Sequence, residues 1–179
     1  MKQINKYILE RLHINKDTGN HSYNYHPKTR DELEKLVKKL IKERGNKADL
    51  NDIDTSEITN MLELFFNSKF NGDISKWDVR NVKNMYSMFE GSNFNGDISE
   101  WDVSNVESMN GMFMDSKFTS KNGDISKWDV SNVKDMIAMF YKSKFNGDIS
   151  EWDVSNVKDM GVMFYNSPLE KNKPKWYKE

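Results

Sequence analysis

Residues 77–100 read WDVRNVKNMYSMFEGSNFNGDISE, and the pattern returns from Trp101, from Trp128 and from Trp152. The four tryptophans are 24, 27 and 24 residues apart, and Thr119-Ser120-Lys121 fills the longer gap. Counting 24 residues back from Trp77 reaches Ile53, after which Asp54, Ile58, Met61, Leu64, Phe65, Ser68, Phe70, Asn71, Gly72 and Asp73 fit the same template. A fifth, divergent copy therefore precedes the four clear ones. A fixed period of roughly 20 to 50 residues marks an array of stacked units, because one such unit cannot bury its apolar face without neighbours.

Within one copy, the apolar positions predict local structure. Val106, Met109, Met112 and Phe113 fall at i, i+3, i+6 and i+7, and so do Val82, Met85, Met88, Phe89; Val133, Met136, Met139, Phe140; and Val157, Met160, Met163, Phe164. That spacing predicts a helix of two to three turns. Ser104 with Glu107 reads as its capping box, and Ser131 and Ser155 as simple caps. Phe94, Phe118 and Phe145 follow, leading into the turn signal Asn-Gly-Asp or its equivalent. Ile98-Ser99-Glu100-Trp101 predicts a short strand, stacked in parallel on its neighbours at about 4.8 Å. The expected fold is an α/β repeat solenoid of short parallel strands and short helices in about five rungs, with isoleucine, tryptophan and valine in internal ladders.

The ends differ from the repeats. Thr29 and Glu32 form a T-x-x-E capping box, Leu33, Leu36, Val37, Leu40 and Ile41 make one apolar face, and Gly45 stops the helix. This predicts an N-terminal capping helix within 27–48 that covers the first rung. Residues 49–167 are then the repeats and 168–179 the C-terminal cap. In residues 1–26, Ile4, Tyr7, Ile8 and Leu12 lie on or beside one face of a short amphipathic segment, followed by the polar tether NKDTGNHSYNY. Those four residues are candidates for docking the chain to something larger.

Composition narrows the chemistry. Net charge is −1 and mean hydropathy −0.86, as suits a thin-cored array with much surface. Residues 1–49 hold 12 Lys/Arg against 7 Asp/Glu, whereas the rest hold 15 against 21. The acidic balance of the repeats argues against nucleic acid as their ligand. With no cysteine there is no disulfide framework and no thiolate site. No run is long and apolar enough to span a membrane, and the N-terminus lacks a secretory signal. The expected location is cytoplasmic or virion-associated rather than the cell surface.

The sequence WDVSNV, followed by the spaced methionines, Met-Phe and FNGDIS, resembles the unit of BspA-like leucine-rich-repeat surface proteins, also known as the Mycoplasma-type lipoprotein repeat. The resemblance covers about residues 46 to 179. It implies a leucine-rich-repeat-like solenoid, a role in adhesion or protein binding, and no catalytic residues. A small relative without a surface anchor, phage-encoded or part of a virion, is implied by analogy alone.

Nothing in the chain suggests catalysis, a cofactor or a metal centre. Histidines 13, 21 and 26 lack metal-ligand spacing, and the recurring aspartates before and after each tryptophan read as residues that close their own turns. A repeat array carries its specificity where its copies differ. These columns are Leu62, Tyr86, Asn110, Ile137, Gly161; Glu63, Ser87, Gly111, Ala138, Val162; and Phe66, Glu90, Met114, Tyr141, Tyr165. From them Phe66, Tyr86, Met114, Ile137, Tyr141 and Tyr165 are candidates for contact with a partner, since surface aromatic and methionine stripes mark interfaces. The expected function is a non-catalytic protein-binding or structural repeat module. The alternatives are a phage virion or assembly component docked through its N-terminal segment, and a carbohydrate-binding adhesin. Oligomeric state is not legible.

Overall fold

The computed structural model describes residues 23–119 and 121–178. Ile4, Tyr7, Ile8 and Leu12 lie outside the described residues. Helix α1 spans Arg30–Arg44 and buries Leu33, Val37 and Leu40. Thr29 Oγ1 accepts from the Glu32 amide, while Glu32 Oε2 accepts from the Lys28 amide, one residue before the cap. Gly45 ends the helix at φ 88, its amide donating to the Ile41 carbonyl.

The repeats do not form the expected α/β solenoid. Among the described residues there is no β-strand, and beyond α1 the only helix is a 3-10 turn at Pro168–Glu170. Consecutive copies touch instead through isolated parallel bridges, Asn60 to Asn84, Asn84 to Ser108, Ser108 to Asp135 and Asp135 to Asp159. We call each stacked copy a rung.

Backbone hydrogen bonding explains the correction. In rung 2 the amides of Met88 and Ser92 donate three residues back, to Met85 and Phe89, closing two consecutive turns over 85–88 and 89–92. The amides of Met85, Ser87, Phe89 and Gly91 cross to the carbonyls of Ser108, Asn110, Met112 and Met114 in rung 3. Glu90 donates to Ser87 and Tyr86 to Asn84 Oδ1, so every amide from 85 to 92 has an acceptor. A helix would need those same amides for bonds four residues back. The third residue of each turn is left-handed: Glu63, Asn67, Ser87, Gly91, Gly111, Asp115, Ala138, Lys142, Val162 and Asn166 all have φ between 49 and 64. Two such residues per rung interrupt any helix. Chained turns put every third or fourth residue inside, which is the spacing that the sequence shares with a helix. The proposed box at Ser104 is absent as well, since Ser104 donates to Asp102 Oδ1 and Glu107 pairs with Lys134 at 2.6 Å. The predicted strand at 98–101 is a turn, with the Trp101 amide on the Ile98 carbonyl at 3.3 Å.

The core is a set of ladders. Phe65, Phe89, Phe113, Phe140 and Phe164 stack nearly parallel at 5.4 to 6.1 Å between centroids. Phe70, Phe94, Phe118 and Phe145 form a second column. Each tryptophan donates its indole N–H to a carbonyl 27 to 30 residues earlier in the stack: Trp77 to Leu50, Trp101 to Ile74, Trp128 to Ile98, Trp152 to Ile125 and Trp176 to Ile149. Trp176 thus keeps the 24-residue register past the last full copy. Asn81, Asn105, Asn132 and Asn156 add side-chain bonds to the preceding rung at 2.7 to 2.8 Å. The three-residue insertion leaves the stack in register, because Thr119 and Asn122 both bond to Asn95 across it.

Candidate functional site

The variable columns are the central residues of the paired turns. Met85, Met88, Phe89 and Ser92 point inward and are buried, whereas Tyr86 is exposed and Glu90 half-buried. A side chain at these turn centres is not held by the ladders, which frees it to vary. Phe66, Tyr86, Val162 and Tyr165 are the large exposed apolar side chains among the described residues, at 45%, 38%, 53% and 52%. Met114, Ile137 and Tyr141 are half-buried.

These candidates do not make one continuous stripe. Tyr141 and Tyr165, in adjacent rungs, stack at 5.2 Å with ring planes 16° apart, and Lys142 Nζ sits 5.2 Å from the Tyr141 centroid. Among the described residues Phe66 and Tyr86 make no ring contact with that pair. In rung 2 the column is polar, where Ser87 donates to Glu90 Oε2 at 2.5 Å. Sequence reasoning placed Val162 in a variable column without selecting it as a candidate, and the structure leaves it 53% exposed. Its signal was a β-branched side chain at a turn position that holds Glu63, Ser87, Gly111 and Ala138 in the other rungs.

Beside the tyrosine pair opens a cleft of about 290 Å³, lined by Gly161, Val162, Phe164, Tyr165, Glu170 and Tyr177 together with Lys173. Lys173 Nζ lies 5.1 Å from the Tyr177 centroid.

The aspartate columns serve the turns. Asp73, Asp97, Asp124 and Asp148 each accept from the serine amide two residues on, and Asp54, Asp102, Asp129 and Asp153 do the same after the tryptophan position. The amides of Ser126, Ser150 and Ser155 hold the Asp124, Asp148 and Asp153 carboxyls below the usual carboxylate range. Arg80 does so for Asp78 through a 2.7 Å ion pair. Among the described residues no cluster of His, Asp or Glu is arranged to hold a metal ion. His26 lies 3.2 Å from Asp54 Oδ2. Among the described residues, no helix is long and apolar enough to cross a membrane.

Two overlapping stretches, 32–122 and 114–178, match the family described as Mycoplasma protein of unknown function, DUF285. The chain belongs to that family. The match runs from α1 through Trp176, so the DUF285 unit includes the cap helix and the tail as well as the repeats. DUF285 falls within the BspA-like repeat group that the motif resembles. No curated protein and no solved structure matches the chain.

Proposed function

We propose that this DUF285 member is a non-catalytic repeat module that binds a protein partner through the turn face of its last rungs. The stacked pair of half-buried Tyr141 and exposed Tyr165 carries the reading. Large apolar rings held in fixed register lose little conformational freedom on association, and aromatic residues are enriched where proteins meet. The half-buried Met114 precedes the pair in the same column, so the apolar character continues toward the middle of the stack. Capture from lysate of the source organism, wild type against Tyr141→Ser/Tyr165→Ser, tests the proposal. A partner held by the wild type and lost from a double variant with unchanged thermal unfolding supports it. The same proteins recovered with both would remove it.

A further inference from the structure

At each junction between rungs, four amides of one paired turn meet four carbonyls of the next: 61, 63, 65 and 67 meet 84, 86, 88 and 90, and the pattern repeats to 136, 138, 140 and 142 on 159, 161, 163 and 165. Among the described residues no further rung follows rung 5. Its Asn166 amide is taken by Glu170 Oε2 at 3.1 Å. Among the described residues the amides of Met160, Val162 and Phe164 have no acceptor. The carbonyls of this segment are committed elsewhere, those of 159, 161, 163 and 165 to rung 4 and those of 160, 162 and 164 to their own turns. The edge is therefore made of donors alone, and the 290 Å³ cleft opens on it.

A second observation falls on the same spot. Val162 has φ 50 and is 53% exposed. A β-branched residue in the left-handed region is an outlier, and such outliers cluster at ligand clamps. The same left-handed position holds Glu63, Ser87, Gly111 and Ala138 in the other rungs, none of them β-branched.

We infer that residues 160–165 are a docking edge for a polypeptide segment of a partner protein, folded in the same chained turns, which sets alternate backbone carbonyls on the amides of Met160, Val162 and Phe164 and an apolar side chain against Val162 and Tyr165. The four internal junctions display what this donor set takes: a parallel chain offering carbonyls two residues apart. Addition of a chain to an open hydrogen-bonding edge is an established mode of peptide recognition, in which the main chain gives affinity and side-chain pockets give specificity. A second copy fits poorly. Two donor edges cannot pair, and the acceptor end of another copy is obstructed by α1, where Arg30 already occupies the Leu62 carbonyl. The inference deepens the protein-binding reading and rests on it for the role of Tyr165.

Amide exchange on the isotopically labelled full chain tests the edge, with a synthetic peptide of residues 128–152 as the probe. Alone, the amides of Met160, Val162 and Phe164 exchange about 100-fold faster than those of Met136, Ala138 and Phe140. Saturating peptide slows them about tenfold or more. Val162→Asp places a negative charge among the incoming carbonyls and abolishes the slowing, whereas Val162→Ile retains it. Asp tolerates a left-handed φ, and intact protection at Met136, Ala138 and Phe140 confirms that the variant is folded. Protection in the peptide-free chain would overturn the proposal, showing a self-covered edge if it is independent of concentration and an edge filled by a second copy if it grows with concentration. No slowing at saturation, or equal slowing with Val162→Asp, would also overturn it. Loss of captured protein in the tyrosine variant with peptide protection intact, or the reverse, separates failure of this edge from failure of the tyrosine face.

Discussion

The two ends of the stack face opposite chemical problems. At the N-terminal end the first rung exposes carbonyls, and α1 covers it with Leu33, Val37 and Leu40 while Arg30 donates to the Leu62 carbonyl at 2.9 and 3.1 Å. Tyr25 extends the pairing further, bridging to Ile53. At the C-terminal end the last rung exposes amides, and the cover is a three-residue 3-10 turn with half-buried Trp176 and Tyr177. Trp176 and Tyr177 lie against Phe164, over the core side of the rung, and leave its turn side open. A ladder whose bonds all run one way requires a cation or other donor at one end and a carboxylate or other acceptor at the other. Arg30 and Glu170 are those two residues, so hydrophobic cover and hydrogen-bond closure are separate tasks in capping a repeat array.

The comparison breaks most readily at tryptophan. Trp128→Ala in mid-stack removes a buried ring and its indole bond to the Ile98 carbonyl, and should cost about 3 to 5 kcal/mol by urea unfolding. Trp176→Ala makes the same bond loss at the open end, where the ring is only half-buried, and should cost less than half as much. Equal losses would mean that the C-terminal cap is as integral as the core. Next comes Arg30→Ala, which bares the Leu62 carbonyl and leaves Glu34 with Lys38 as its remaining 2.8 Å partner. Loss of about 1 to 3 kcal/mol is expected, and Arg30→Lys should recover only part of it because one ammonium cannot reproduce the two-nitrogen contact. An unchanged unfolding midpoint for Arg30→Ala would show that α1 seals by apolar cover alone.

Residue by residue, the sequence made some of this visible and hid the rest. The period, the inward columns of Met, Phe, Val and Trp, and the cap helix with its Thr29 and Gly45 boundaries could all be read, because each follows from apolar spacing or cap chemistry. Helix against chained turns could not be told from spacing, since Val82, Met85, Met88 and Phe89 lie inside in both. The clue was Gly91 and Gly111 at third turn positions, masked by the ordinary residues that hold a left-handed φ elsewhere, such as Ala138 and Lys142. Inter-rung hydrogen bonds are what make that conformation worthwhile, and they link residues 23 to 27 apart, beyond any local pattern. Of the candidate contacts, Tyr165 was selected because its column varies within the repeat. The unpaired amides beside it carry no side-chain signature at all.

Acid should separate the turns from the ends more gently. The carboxyls of Asp124, Asp148 and Asp153 have folded pKa values depressed by serine amides. Their stabilisation is present above the unfolded value of about 3.9 and is lost as pH falls through the folded one. Thermal midpoints should therefore hold steady down to about pH 4 and drop below it. Asp124→Asn keeps an acceptor for the Ser126 amide without the titrating proton, so the acid drop should shrink in that variant, and an unchanged drop would assign acid sensitivity to other carboxylates.

The smallest expected change is the most pointed. If Val162 holds its left-handed conformation against its own preference, Val162→Asn should stabilise the fold by about 0.5 to 1 kcal/mol, because asparagine visits that region with less penalty. Ala138→Asn, one rung earlier and under the ladder, gives the reference for the same change where no open edge exists. A gain at 162 accompanied by weaker binding of the 128–152 peptide would mean that stability has been held below its optimum at the rung whose amides are unpaired among the described residues, as happens where a site needs a strained residue. A gain at both positions with binding unaffected would make Val162 an ordinary surface residue, and the open donors at Met160, Val162 and Phe164 would then have to carry the docking edge by backbone alone.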